Sequence, residues 1–163
     1  DLEPHDGFLD VLYGSSLVRA FPDGSVKTIA VPSKLGKGLA KTTGGILVGA
    51  HTQIARLDDA MNLSLIPGGF ANVTNIKRAS FGWLVTDSDD GSIHAFDGAS
   101  FRKLVGTEAS AFGAFTGVVP FGNGFLALDN QKAQIWRVDF TTGTSQLWAG
   151  TGKLGWATVD VDK

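Results

Sequence analysis

A short motif, Gly followed by two apolar residues, recurs four times along the 163-residue chain. It begins at Gly7, Gly45, Gly82 and Gly124, so successive copies lie 38, 37 and 42 residues apart. A second motif follows each copy and reads LVRAF, IARLD, IHAFD and IWRVD, with spacings of 37, 39 and 42 residues. Two independent motifs that keep nearly one period indicate four copies of one structural unit of about 40 residues.

Each unit has the pattern of short antiparallel strands. The Gly opens an apolar run such as GWLVTD (Gly82–Asp87), and a polar turn such as SDDGS follows. The next run alternates, with Ile135 and Arg137 on one face and Trp136 and Val138 on the other. Another apolar run precedes each Gly, and a last short run closes each unit. Alternation with period two between Gly and Asp turns predicts about four strands per unit and an all-β chain.

Four-stranded units that repeat every 40 residues or so are typical of a β-propeller, in which each unit is one blade. We expect one propeller domain over 1–163, with blades near 7–32, 38–67, 72–106 and 115–150. The segment 154–163 resembles a strand of a closing or further blade, and the first blade lacks an evident first strand. Two alternatives stay open: a complete small ring, or part of a larger ring whose other blades lie elsewhere, for example in a second chain.

Composition excludes several classes of function. Lys and Arg number 14 against 16 Asp and Glu, which argues against a nucleic-acid-binding surface. The absence of Cys excludes a disulfide scaffold and a thiolate zinc site. Residues 109–128 carry no charge, but Gly113, Gly117 and Pro120 would break a membrane-spanning helix there. We expect no nucleic-acid partner, no membrane partner and no organic cofactor.

Three segments resemble the blade motif of two propeller families. WLVTDSDDGSI (Trp83–Ile93), FLALDN (Phe125–Asn130) and IWRVD (Ile135–Asp139) are similar to blades of NHL-repeat proteins and of the senescence-marker/gluconolactonase-like family. The resemblance implies a propeller, commonly six-bladed, with a divalent cation on its central axis. It also implies a small-molecule substrate at that axis and hydrolysis of an ester or lactone assisted by the cation.

The resemblance also implies a ligand set. Glu3 precedes the first blade, where the family places an acidic ligand, and Asn75 (or Asn72) lies where the family has an Asn-containing pair. With Asp129 these residues would bind a hard cation, Ca²⁺ being favoured, because Ca²⁺ prefers carboxylate and amide oxygens. Thr116 takes the place of the family's amide in the fourth unit. We expect Thr116, together with Trp156 near the entrance to the axis, to contact substrate.

Three residues are candidates for catalysis because they follow the second strand of successive units. Asp87 and Asp129 could act as a general base or hold a cation, and His51 occupies nearly the same place in the second unit. The alternative for the carboxylates is that they accept turn amides in Asx turns. The alternative for His51 is a loop residue with no chemical role.

Two functional hypotheses follow. In the first, the chain is a lactonase-like propeller that binds a small molecule and hydrolyses an ester or lactone. In the second, it is a non-catalytic propeller that binds a protein or a glycan, since a rigid ring displays loops well. Asn62 and Asn72 lie in N-x-S/T sequons and are candidate glycosylation sites, and a secreted or extracellular location is favoured over the cytoplasm.

Overall fold

The computed structural model describes residues 2–13, 16–30, 38–106 and 112–152, and every regular element in these ranges is a β-strand. The strands form four antiparallel sheets of four, and each sheet keeps chain order from its innermost to its outermost strand. Blades 1 and 2 comprise β1 (Leu2–His5), β2 (Phe8–Tyr13), β3 (Ser16–Ala20), β4 (Val26–Ala30), β5 (Leu39–Thr42), β6 (Gly45–Ala50), β7 (Gln53–Asp58) and β8 (Leu63–Ile66). Blades 3 and 4 comprise β9 (Val73–Ala79), β10 (Gly82–Asp87), β11 (Ser92–Phe96), β12 (Phe101–Val105), β13 (Phe115–Phe121), β14 (Gly124–Asp129), β15 (Gln134–Asp139) and β16 (Ser145–Ala149).

This architecture confirms the predicted β-propeller fold. The four blades follow one another along the chain, and the innermost strands β1, β5, β9 and β13 contact each other in succession. None of the described residues forms a helix of the length and apolarity needed to cross a membrane. The predicted terminal strand at 154–163 lies outside the described residues.

The recurring Gly has a steric cause. A Cβ atom at Gly45 would lie 2.0 Å from the carbonyl oxygen of Leu57, and one at Gly124 would lie 2.0 Å from that of Val138. In each case the carbonyl belongs to the third strand of the same blade. The second and third strands therefore approach so closely at this point that only Gly fits.

Blade 1 corrects two of the sequence-based expectations. It has its own first strand, β1, which pairs with β2 along its whole length, so the expectation that this blade lacks a first strand is wrong. The Gly motif predicted to begin this blade at Gly7 is also displaced by one residue relative to the motifs of the other blades. Leu12 pairs with Leu17, as Gly49 pairs with Ile54 in blade 2, so Phe8 rather than Gly7 is the counterpart of Gly45.

Three apolar cores hold the blades together. One lies between blades 1 and 2, one between blades 2 and 3, and one between blades 3 and 4. Because side chains alternate along a strand, one strand contributes to the cores on both sides of its blade. In β10, Leu84 packs in the core between blades 3 and 4, and the next residue, Val85, packs in the core between blades 2 and 3. A closed ring of four blades would need a fourth core, and the described residues form none between blades 4 and 1. The described blades are therefore an open arc.

Candidate axial binding site

A cavity of about 540 Å³ lies where the innermost strands of the four blades converge. Blade 1 contributes Glu3, blade 4 contributes Pro120, and blades 2 and 3 contribute the remaining lining residues. The lining residues of blades 2 and 3 are Leu39, Ala40, Lys41, Thr42, Thr43, Ile76, Lys77 and Arg78. Because all four inner strands supply part of the wall, this cavity occupies the axial position of the propeller.

The wall of the cavity carries more positive than negative charge. Lys41, Lys77 and Arg78 supply three cationic groups, and Glu3 supplies one carboxylate. The rest of the wall includes buried aliphatic side chains from β5 and β9. Clustered positive charge in a concave site raises the local concentration of anions. The cavity is therefore suited to a small molecule with an anionic group and an apolar part.

Trp83 fixes part of this wall. Its indole Nε1 donates a hydrogen bond to the carbonyl oxygen of Lys41 at 3.1 Å, which ties blade 3 to blade 2. The guanidinium carbon of Arg78 lies 4.5 Å from the centre of the Trp83 ring, within the range of a cation–π interaction. The backbone of Lys41 and the side chain of Arg78 are thus held by one buried aromatic residue.

The cationic residues were missed by the sequence analysis, which weighed mainly acidic residues and His. A signal for them exists in the repeat. Lys41 pairs with Ile46 and Arg78 pairs with Trp83, so the two cationic residues occupy equivalent positions on the inner strands of adjacent blades. Lys41 and Arg78 each lie five residues before the first large side chain of the second strand of their blade. This common spacing is visible in the sequence alone.

The three predicted cation ligands have different surroundings. Glu3 lines the axial cavity, and the amide oxygen of Asn75 is buried with no hydrogen-bond partner in the described structure. The Asp129 carboxylate is buried and accepts hydrogen bonds from the backbone N–H of Gly113 at 2.6 Å and of Lys132 at 3.1 Å. Each oxygen of Asp129 thus accepts one backbone hydrogen bond, and the calcium site stays a prediction.

Nor do the acidic and imidazole groups gather elsewhere into a metal site. Across 2–13, 16–30, 38–106 and 112–152, the structure brings together no group of three or more His, Asp or Glu side chains arranged to hold an ion.

Asp87 has the same surroundings as Asp129. It is buried, and its two carboxylate oxygens accept hydrogen bonds from the backbone N–H groups of Ala71 at 2.7 Å and Asn72 at 2.8 Å. Both carboxylates therefore anchor the segment that enters their own blade. Asp87 also pairs with Val73 at the start of β9, whereas the cavity is lined by the later half of that strand.

His51 lies in the turn after β6 with a positive φ of 54°. Its carbonyl oxygen accepts a hydrogen bond from the N–H of Val73 at 2.7 Å, and its Nδ1 is buried with no hydrogen-bond partner in the described structure. Hydrogen bonds from Asn72 and Ser88 lower the pKa of the nearby Asp89, and the charge of His51 lowers it further. His51 is not among the residues that line the axial cavity.

The predicted substrate contacts lie apart from the cavity or beyond the described residues. Thr116 is half-buried at the bulge of β13, and Pro120 is the residue of that strand that lines the cavity. Trp156 lies outside the described residues.

Both sequon amides are engaged in hydrogen bonds. The side-chain nitrogen of Asn62, an exposed residue, donates to Asp58 at 2.9 Å, and that of Asn72, a half-buried one, donates to Asp89 at 3.1 Å. Glycosylation at either site stays a prediction, and Asn62 is the more accessible of the two.

One further pair, not singled out from the sequence, has the residue types of a nucleophile and its base. The hydroxyl of Ser92 lies 2.9 Å from Nε2 of His94. Ser92 is wholly buried, however, and the ring of His94 packs edge-on against Phe70. A buried hydroxyl cannot reach a substrate, so this pair is part of the blade rather than a catalytic dyad.

Comparison with known proteins identifies the fold class. No protein-family model and no curated protein sequence matches the chain. Solved structures do. Virginiamycin B lyase from Staphylococcus aureus, in a catalytically inactive form with quinupristin, matches with a TM-score of 0.73 and 17% identity over 90% of this chain and 54% of its own.

Two further structures match in the same way. An auxiliary nutrient binding protein from Bacteroides thetaiotaomicron matches with a TM-score of 0.71 and 14% identity over 95% of this chain and 43% of its own. The computationally designed Ika8 protein matches with a TM-score of 0.61 and 18% identity over 93% of this chain and 49% of its own. At these identities the likeness shows the fold alone, and the chain spans about half the length of these proteins.

Proposed function

We propose that this chain is a small-molecule-binding propeller whose ligand carries an anionic group and occupies the axial cavity. One observation carries the proposal: the inner strands of all four blades converge on a single cavity with three cationic side chains, Lys41, Lys77 and Arg78, and one carboxylate, Glu3. Its volume of about 540 Å³ lies within the range of small-molecule sites, roughly 300–1,000 Å³.

The neighbouring structures support binding rather than a particular reaction. One is a lyase studied with quinupristin and another is an auxiliary nutrient binding protein, so different activities share this fold. The nutrient binding protein supports a solute-binding role for this chain too. We further propose that the chain acts at an extracellular location. Detection of the protein outside the cells that make it would test that location.

Hydrolysis by Asp129, Asp87 and His51 is not part of this proposal. Both carboxylates accept hydrogen bonds from backbone amides, and neither they nor His51 line the axial cavity, whereas a general base must lie within hydrogen-bond reach of the proton that it removes. The lactonase hypothesis stays a prediction from sequence resemblance.

The proposal is tested by thermal shift and calorimetry against a panel of small mono- and dicarboxylates with apolar substituents. We expect at least one to raise the melting temperature, because a ligand that binds the folded state stabilises it. Lys77→Met keeps the aliphatic stem and removes the charge, so it should weaken that binding at least tenfold. Lys27→Met, which removes the same charge from the outermost strand of blade 1, is the matched control and should bind normally.

Salt dependence provides a second readout. Binding through clustered cations should weaken as ionic strength rises, because salt screens exposed charges. If no anionic compound binds, or if Lys77→Met and Lys27→Met change affinity equally, the axial site is not the binding site.

A further inference from the structure

A second cavity, of about 340 Å³, opens at the junction between blades 2 and 3. Leu47 and Ile66 of blade 2 and Trp83 and Phe96 of blade 3 form its apolar wall. Arg56, an exposed residue of β7, supplies a cationic group at the same cavity. The cavity therefore combines two aromatic rings and aliphatic side chains with one positive charge.

The residue that directly follows the third-strand motif explains why this junction is open. In blade 4 that residue is Phe140, whose ring centre lies 4.8 Å from that of Phe81 and which packs against the core between blades 3 and 4. In blade 3 the equivalent residue is Gly98. A Cβ atom there would have only Cζ3 of Trp83, at 3.8 Å, as a neighbour within 4 Å. An aromatic ring thus fills this corner between blades 3 and 4, and Gly98 leaves the equivalent corner between blades 2 and 3 unfilled.

The arginine at this cavity lacks the carboxylate that its counterpart in blade 1 has. Arg19 and Arg56 occupy the same position of the third strand, because Asp10 pairs with Arg19 as Leu47 pairs with Arg56. The Asp10 carboxylate accepts two hydrogen bonds from Arg19, and an aliphatic side chain at Leu47 can accept none. Within the described part of the chain Arg56 forms no ion pair, and its guanidinium donates a long hydrogen bond, of 3.4 Å, to the carbonyl oxygen of Thr43.

The junction between blades 2 and 3 therefore lacks two groups that the neighbouring junctions contain. One is an aromatic ring beside Trp83, and the other is a carboxylate beside Arg56. A guanidinium binds a carboxylate through two parallel hydrogen bonds, and aromatic rings attract one another in edge-to-face or offset contact. One small molecule that carries both groups would supply what this junction lacks.

We propose that this cavity, the blade 2–3 site, binds a small aromatic carboxylate, with its ring against Trp83 and Phe96 and its carboxylate on Arg56. The volume of about 340 Å³ lies near the lower end of the range for small-molecule sites, roughly 300–1,000 Å³, which suits a single ring on a short chain. The blade 2–3 site is distinct from the axial cavity. Both are lined by the turn residues Thr42 and Thr43, but Lys41, Lys77 and Arg78 line the axial cavity alone.

Calorimetry with phenylacetate and 3-phenylpropanoate tests the chemical class of the ligand. We expect both compounds to bind. Acetate lacks the ring and phenylacetamide lacks the charge, so each should bind at least tenfold more weakly than phenylacetate. If neither aromatic carboxylate binds, or if phenylacetamide binds as tightly as phenylacetate, the proposal is overturned.

Two equivalent arginines provide a matched pair of variants. Arg56→Met keeps the aliphatic stem and removes the guanidinium, so it should weaken phenylacetate binding at least tenfold. Arg137→Met makes the same change at the equivalent position of blade 4, which does not line this cavity, and should bind normally. Both side chains are exposed, so both variants should fold, and their melting temperatures without ligand check this. Equal affinities for the two variants would overturn the proposal.

The position of the bound ring distinguishes this site from the axial one. Nuclear Overhauser effects should connect the phenyl protons to methyl groups of Leu47 and Ile66, which line only the blade 2–3 site. Effects to Leu39 and Ile76 instead would place the ring in the axial cavity, which would overturn this proposal and leave the proposed function standing. Conversely, failure of the axial cavity to bind anions would leave the blade 2–3 site unaffected, because Arg56 is not part of the axial wall.

Discussion

Arg19 and Asp10 form a bidentate ion pair inside blade 1, with Nε 2.9 Å from Oδ1 and Nη2 3.0 Å from Oδ2. Both side chains are buried, and Nε2 of His5 lies 3.2 Å from Oδ2 of the same carboxylate. Nη1 of Arg19 also donates to the carbonyl oxygen of Asp59, so the pair connects blade 1 to blade 2. Asp10 occupies a position that is Leu in the other three blades, at Leu47, Leu84 and Leu126.

Removing one member of this pair should destabilise the protein strongly. Arg19→Met removes the bidentate partner of the buried Asp10 carboxylate and leaves only His5 beside it, and such losses cost about 3–5 kcal/mol. The double variant Asp10→Leu, Arg19→Met restores the residue of the other blades and should recover most of that stability. The free energies of unfolding of the single and the double variant, measured in urea, test both expectations. If the double variant is no more stable than Arg19→Met, the pair is not the cause of the loss.

The recurring Gly should be intolerant of even one methyl group. Gly124→Ala places a Cβ against the carbonyl oxygen of Val138, and overpacking of this kind costs about 1–3 kcal/mol. Gly117→Ala, in the neighbouring strand, meets only Cβ of Leu128 at 3.8 Å and is the matched control. Neither Gly has a positive φ, so the comparison isolates the steric effect. Equal melting temperatures for the two variants would contradict the steric explanation.

Asp129→Asn should destabilise the protein whether or not calcium is present. The substitution keeps the shape of the side chain but removes the charge that strengthens its hydrogen bonds to Gly113 and Lys132, worth about 1–3 kcal/mol. Thermal melts with calcium and with a chelator should show the same loss. A loss seen only with calcium would instead support the cation-ligand role that the sequence resemblance implies.

His94 should make stability depend on pH below neutrality. Burial lowers the pKa of His94 from its ordinary value of 6.5, and the charge of Lys103 lowers it further. Between the lowered value and 6.5 the unfolded chain binds a proton that the folded protein does not, so stability falls as pH is lowered from 6.5 and levels off below the folded-state pKa. His94→Gln should flatten this part of the curve in urea unfolding from pH 7 to 5. An unchanged slope would mean that another group titrates there.

The blade pattern could be predicted because its causes are local. The Gly that opens each second strand, the alternation in runs such as IWRVD and the Asp-containing turns all act within one blade, so the sequence displays them directly. In the first blade the predicted start of the second strand was wrong by one residue, because Gly7 lies in the turn and Phe8 takes the place of the repeated Gly.

The candidate site depended on contacts between residues well separated in the chain, which the sequence does not display. Asp87 and Asp129 were placed correctly at the ends of second strands, but only the folded chain brings the N–H groups of Ala71 and Gly113 to their oxygens. Lys41 and Lys77 are 36 residues apart in the chain and line one cavity because adjacent inner strands converge.

The repeat by itself therefore determined the all-β blade architecture, since strand alternation and the close approach at Gly are fixed by neighbours along the chain. The tertiary structure decided the rest: which charges face the axis, and which carboxylates accept hydrogen bonds from backbone amides. The physical reason is that burial and charge environment are set by packing between blades, and each blade's neighbours are residues distant in the sequence.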